Sequence, residues 1–499
     1  LKLMVDAFSK RSTRLAFFPN QLQLTQMIPV THPAPPLTAV DAPNLRRLEF
    51  LLLCDFMPGS ASTIIDHVMG LKEFSRHSIQ IFNSRGDVSN LLELDRFDGV
   101  IIHYSLVACM DTYIGPNLRA AICRFKGLKA AFIQDEYRWI NDTMAAFRQL
   151  GVHILFSVVP QEIMDDYYPQ DRLPNVVRET VLTGYVPGEL LDRTVPRLED
   201  RSIDVGYRAR KVPDWLGSFA QEKWLISGRF EADAAQYGLT CDMSTREEDR
   251  IYGENWIKFL ANCKAVLGTE SGASVCDFTG EIQRNVDQHL ARDPSASFET
   301  LRDLYFKDED NRVILAVISP RCFEAAALQT LMILYEGTYS GRLEPWRHYV
   351  PLKKDHSNMA EVMEVLRDPV RAQEIVDRAY REVALNPDNS FEAMVRQVDR
   401  AIDRRYHPEM AATKRCYAEG ELVALVAREK RRTRRRELMQ KVMRKAKQTV
   451  RHRLVVIAKV VAANGVIHVA RLTPGPLRRW AKRIVLRHTR IRRLIGIDA

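Results

Sequence analysis

Between residues 311 and 337 the chain reads NRVILAVISPRCFEAAALQTLMILYEG, a run that few architectures accommodate. Two apolar segments of strand length, Val313 to Ile318 and Leu331 to Tyr335, flank a helical stretch that opens with Phe323-Glu324-Ala325-Ala326-Ala327. Ser319-Pro320-Arg321 interrupts the first segment, and the alanines let the helix lie close on a sheet. Two buried strands joined by a helix imply a parallel sheet covered on both faces. Such sheets bind ligands beyond the carboxyl ends of their strands. The pattern therefore places Glu324 in a first helical turn at that edge, where a carboxylate can accept both hydroxyls of a ribose. It places Arg321 where a guanidinium can meet a phosphate.

The same run leads into TYSGRLEPWRHYVPLKKDHSN, residues 338 to 358. Together the two segments resemble the second half of GT-B-type glycosyltransferases. The likeness is greatest to the CgeB-like, "glycosyl transferases group 1" branch, in which an SPRxFEAAA string precedes an HYxPLxxDxSN string. The resemblance implies two Rossmann-like domains facing across a cleft, a nucleotide-sugar donor as substrate, and neither metal nor other cofactor. It implies that Glu324 grips the donor ribose and Arg321 its diphosphate, with Asp355 near the donor sugar. One departure stands out: the retaining family members carry a further Glu before the ribose-binding one, and that place is Ala316 here. Glu270, with Ser271 beside it, is the substitute, displaced by the helical insertion 283–310.

The rest of the chain alternates strand and helix in the same manner. Apolar strands are expected at 48–56, 78–83, 98–105, 128–137, 152–160 and 179–187, and again at 202–210 and 264–268, with amphipathic helices between them. The expected layout is an extended, proline-marked lead-in over 1–44, an acceptor domain over 45–190 and a nucleotide-sugar domain over 200–405. A basic helical tail follows over 408–499.

Several strand ends carry candidate chemistry. Pro58-Gly59-Ser60 allows backbone amides to approach a ligand after the first strand. His103 and Asp135 close later strands and are candidate general bases toward an acceptor hydroxyl; Glu136 shares the second position. In the second domain Arg208, Arg210 and Lys211 offer fixed cations to the charge that grows on a leaving diphosphate. Asp308-Glu309-Asp310 matches a DxD string but precedes a strand, so it reads as a solvated turn.

The eight cysteines include no CxxC pair and no histidine at zinc-ligand spacing, so thiols in a reducing compartment are expected. No secretory signal is read at the amino end. Charge is split: residues 411–499 hold 25 Lys and Arg against 5 Asp and Glu, leaving 48 against 58 in the rest. The cations of 429–448 and the apolar face from Leu477 to Ile495, which includes Trp480, favour an anionic membrane surface. Self-assembly and nucleic acid are the competing partners. The expectation is a cytoplasmic, membrane-peripheral glycosyltransferase acting on a saccharide or lipid-linked envelope acceptor. The alternatives are an inactive scaffold on the same fold and a sugar-nucleotide epimerase or hydrolase.

Overall fold

The computed structural model describes residues 46–443 apart from 58, 59, 90, 419, 436, 437, 440 and 441. The first lobe is a six-stranded parallel sheet of β1 (Glu49–Cys54), β2 (Ser78–Asn83), β3 (Gly99–Ile102), β4 (Leu128–Phe132), β5 (Ile154–Ser157) and β6 (Val177–Thr180). Their spatial order is β2-β1-β3-β4-β5-β6. The two-residue period of a strand divides the core cleanly. Leu51 and Leu53 of β1 and Val100 and Ile102 of β3 face one side, while Phe50, Leu52 and Ile101 face the other. Helices α1 (Ser62–Phe74), α2 (Pro116–Arg124) and α3 (Ile140–Leu150) cover those faces. Each fully buried Leu or Phe contributes about 1.5–3 kcal/mol, so both layers hold the sheet.

The second lobe contains β7 (Ile203–Arg208), β8 (Cys241–Ser244), β9 (Cys263–Gly268), β10 (Ser271–Ala273), β11 (Leu315–Val317), β12 (Leu331–Tyr335) and β13 (Val350–Leu352). Five of these form a parallel sheet in the order β13-β12-β9-β7-β8. The remaining two, β10 and β11, pair antiparallel as a separate ribbon, Gly272 opposite Ala316. The expected strand of 313–318 therefore forms, but outside the parallel sheet. An apolar run specifies burial, not the sheet it joins, and Leu315 and Val317 are buried in the core of the first lobe.

Helices α4 (Ser218–Ala234), α5 (Gly253–Asn262), α6 (Glu281–Leu290), α7 (Phe298–Tyr305), α8 (Pro320–Ala327), α9 (Met359–Arg367) and α10 (Pro369–Ala379) belong to this lobe. The insertion of 283–310 supplies part of α6 and all of α7, which pack with Trp215 and Leu216 through Val286 and Leu301.

Two segments then return to the first lobe. Helix α11 (Phe391–Arg405) buries Phe391, Met394, Val395, Val398 and Ile402 against β1, β3 and β4. Asp399 fixes it by accepting bonds from Ser75 Oγ at 2.7 Å and Arg76 N at 2.9 Å. The expected boundary at 405 thus assigns to the second lobe a helix that completes the first. Helix α12 (420–435) follows, with Leu422 and Leu425 in the first lobe's core and Glu429 bonded to Ser89. The start of the expected basic tail is therefore lobe structure. The rest of that tail, including 454–470 and 477–495, lies outside the described residues.

Candidate functional site

The carboxyl ends of the two sheets meet. Tyr137, beyond β4, lies 6.1 Å from Trp215, beyond β7, measured between ring centroids. Thr183 Oγ1 donates to Ile318 O, and Pro320 packs against Gly184, where a side chain would clash. The Ser-Pro-Arg corner is thus seated on the segment leaving the first lobe.

At this edge three cations converge. Lys223 of α4 extends toward Ser271 Oγ, 3.5 Å away. Burial first, and then the charges of Arg321 and Arg210, push its pKa down to about 8. Among the described residues none of the three forms an ion pair with a carboxylate. Lys223, Arg321, Tyr207, Gly268, Thr269 and Ser319 line a cavity of about 20 Å³ where the strand ends and α8 come together. The cavity itself has room for about one water molecule, and an anion bound at its mouth would relieve the mutual repulsion of the cations. Lys223 escaped the sequence reading because it sits mid-helix in SFAQEKWLISG, with no motif to mark it.

Glu324 lies in the second turn of α8, not the first, because Pro320 already occupies the first helical position. Its carboxylate is 5 % exposed, and Oε2 accepts from Trp256 Nε1 at 2.8 Å. Burial raises its pKa, while the Trp256 bond and Arg321 oppose the rise. Glu270 stands beyond β9, its Oε1 accepting from Tyr339 N at 2.7 Å and Thr338 Oγ1 at 3.0 Å. It holds the turn after β12 beside Gly337.

The other expected cations are committed elsewhere. Arg208 is paired with Asp242 Oδ1 at 2.7 Å and lies over the Phe259 ring. Lys211 reaches toward Asp214, 3.8 Å away, and over Trp224. Asp355 is exposed and closes its own turn by accepting from Ser357 N at 3.0 Å, so it does not join this group. The strings that carry the resemblance are otherwise structural here: Asn358 caps Lys353 N and Pro351 O, and His356 bridges Tyr335 and Asp233. Asp310 is not a solvated turn residue, since its Oδ1 accepts from Ser274 Oγ at 2.6 Å and Ser218 N at 3.0 Å. Among the described residues no group of three or more His, Cys, Asp or Glu is placed to hold a metal ion.

On the first-lobe side His103 is fully buried rather than facing the cleft. Its Nδ1 meets Ser105 Oγ at 2.9 Å and its Nε2 meets His67 Nδ1 at 3.1 Å. Burial holds both rings neutral, with the His67 pKa pushed down to about 3. A histidine with both nitrogens engaged in the core cannot reach an acceptor hydroxyl. Asp135 is 63 % exposed, accepts from Tyr137 OH at 2.9 Å and lies 3.7 Å from Arg138. Glu136 points inward, sharing a 2.5 Å bond with Ser157 Oγ and accepting from Val158 N at 3.0 Å and Tyr168 OH at 3.0 Å.

Asp66, which the sequence reading passed over as one polar residue of an amphipathic helix, is the carboxyl here with a pKa near neutrality. It is half-buried on α1, and burial, then the charges of Glu189 and Glu324, raise its pKa to about 7. Its carboxyl feels the charges of Glu189, after β6, and of Glu324 on α8.

No protein-family model matches the chain, and no curated protein matches it. Among solved structures it is similar to an alpha-glucosyltransferase in complex with UDP-glucose and DNA containing an abasic site. The identity there is 7 %, over 72 % of this chain and 100 % of that one, with a TM-score of 0.43. It is similar to Anabaena HepE in complex with UDP, with 8 % identity over 71 % of this chain and 100 % of that one, and a TM-score of 0.40. The overlap with TarM has 11 % identity over 61 % of this chain and 54 % of that one, at a TM-score of 0.33. Scores this low carry no weight for the chemistry, which rests on the chain's own residues.

Proposed function

We propose that this chain transfers a sugar from a nucleotide-sugar donor to an acceptor hydroxyl, with fixed side-chain cations taking up the leaving charge. The observation that carries the reading is the convergence of Lys223, Arg321 and Arg210 at the carboxyl edge of the second sheet, beside the buried carboxylate of Glu324. In this reading the cations hold the donor diphosphate, Glu324 accepts from the ribose hydroxyls and Glu270 borders the donor sugar. Asp66 removes the acceptor proton as the acceptor oxygen bonds to the anomeric carbon. The bond from that carbon to the diphosphate oxygen breaks, and its electron pair leaves with the nucleotide. A base with a pKa near the working pH is matched to that task, and preorganised cations stabilise the charge that develops.

A saccharide or lipid-linked envelope acceptor, reached from a membrane surface, fits the exposed Arg428, Arg431, Arg434 and Arg435 of α12 and the exposed Leu438, Met439, Val442 and Met443 beyond it. Among the described residues no helix is long and apolar enough to cross a membrane.

The test is a thermal-shift panel of nucleoside diphosphates and nucleotide sugars on the wild type and Glu324→Ala. One nucleotide is expected to raise the melting temperature of the wild type and to have a much smaller effect on the variant. Folded wild type that responds to none of them would remove the donor site and leave a non-catalytic scaffold as the better reading.

A further inference from the structure

The donor-site groups share one support. Helix α5 presents Trp256 and Phe259 one turn apart, and their rings stack at 5.7 Å with an interplanar angle of 27°. The Arg321 guanidinium lies over the Trp256 ring at 5.0 Å, and Arg208 lies over Phe259 at 4.5 Å. Arg321 also donates to the carbonyl of Arg208, which closes the stack. The indole edge meanwhile donates to Glu324 Oε2 at 2.8 Å. The start of α5 is pinned from outside: the two terminal guanidinium nitrogens of Arg193 donate to the two carboxylate oxygens of Glu254, each at 2.8 Å. A single side chain thus contacts both a cation and the carboxylate of α8.

We infer that Trp256 is the positioning residue of the nucleotide site, its edge orienting Glu324 toward the ribose and its face holding Arg321 toward the diphosphate. This rests on the donor-site reading above. The indole bond occupies Oε2 and turns Oε1 to the ligand. It also favours the ionised carboxylate that a buried site would otherwise discourage. The ring face fixes, through cation–π attraction, a guanidinium that forms no ion pair within 4 Å among the described residues.

The two roles separate by mutation. Trp256→Phe keeps a ring under Arg321 and deletes the N–H. Phe259→Leu removes the second ring and leaves the indole bond. The probes are uridine, guanosine, adenosine and cytidine diphosphates, titrated by calorimetry from pH 5 to 8 into full-length protein whose unliganded melting temperature is checked first. Trp256→Phe is expected to weaken the nucleotide that binds by about tenfold, as for loss of a hydrogen bond to a charged group. It is also expected to move the acid limb of binding to higher pH, because the carboxylate loses the donor that favours its ionised form. Phe259→Leu is expected to weaken binding without moving that limb. Wild-type binding with an unchanged acid limb in Trp256→Phe would overturn the positioning role and leave the donor site standing. Absence of binding to the wild type would overturn both.

Discussion

At the scale of single residues, the described groups whose titration is displaced sort by what they face. Asp66 is half-buried on α1 with a pKa raised to about 7, so its ionised form is lost as pH falls below neutrality. The rate with saturating donor is expected to drop on that acid side. Asp66→Asn is expected to flatten the limb and to lower kcat by about a hundredfold or more, read from a pH–rate profile. Glu136 faces the core, and burial raises its pKa from 4.5 to about 8. The folded state therefore binds this proton more tightly than the unfolded chain does. Its contribution to stability is complete below pH 4.5 and is lost as pH climbs toward 8. Glu136→Gln, which keeps the shape and cannot ionise, is expected to gain melting temperature relative to the wild type as pH rises from 5 to 8. A constant difference across that range would refute the assignment. A motif marked Glu324 and Arg321 as candidates in the sequence, and both lie on α8 beside Trp256. Lys223, Asp66 and Trp256 carried no such mark, because each is a single polar or aromatic residue within a helix whose neighbours only the folded lobes define.

At the scale of elements, most strands were readable and one was misplaced. The strands at 78–83 and 331–335 were found with their bounds, since alternation and apolar runs locate a strand directly. Strand β8 was missed because Cys241–Ser244 is short and half-buried along its length. Strand β11 was found but put in the wrong sheet, and the reason is Gly272 opposite it. That residue adopts φ +137°, and a Cβ there would lie 1.7 Å from the carbonyl oxygen of Leu315. Only a residue without a side chain lets the β10–β11 ribbon close. Gly272→Ala is accordingly expected to cost about 2 kcal/mol or more. Cys276, which bonds Tyr167 OH at 2.6 Å just beyond the ribbon, should then react faster with a thiol reagent. An unchanged melting temperature and thiol rate would show that the ribbon is not held this way.

At the scale of the whole molecule, the lobes share structure instead of meeting only at a linker. Leu315, Val317 and Cys276 complete the core of the first lobe, and Trp139 N donates to Asp277 O at 2.9 Å while Asp277 N donates to Tyr137 O at 2.9 Å. Calorimetry is expected to show one unfolding transition. Asp399→Ala, which removes the buried carboxylate that accepts from Ser75 Oγ and Arg76 N, is expected to lower that transition by about 1–3 kcal/mol without splitting it. Two resolved transitions would mean that the lobes unfold independently. The return of α11 also sets an order of events during synthesis. Ser75 and Asp399 are separated by 324 positions, so nearly the entire described chain must leave the ribosome before the first sheet receives the helix that covers it. Until then Phe50, Leu52 and Ile101 have only part of their cover, from Val68 and Leu71 of α1, and the nascent first lobe is exposed to association with chaperones or with other unfinished copies.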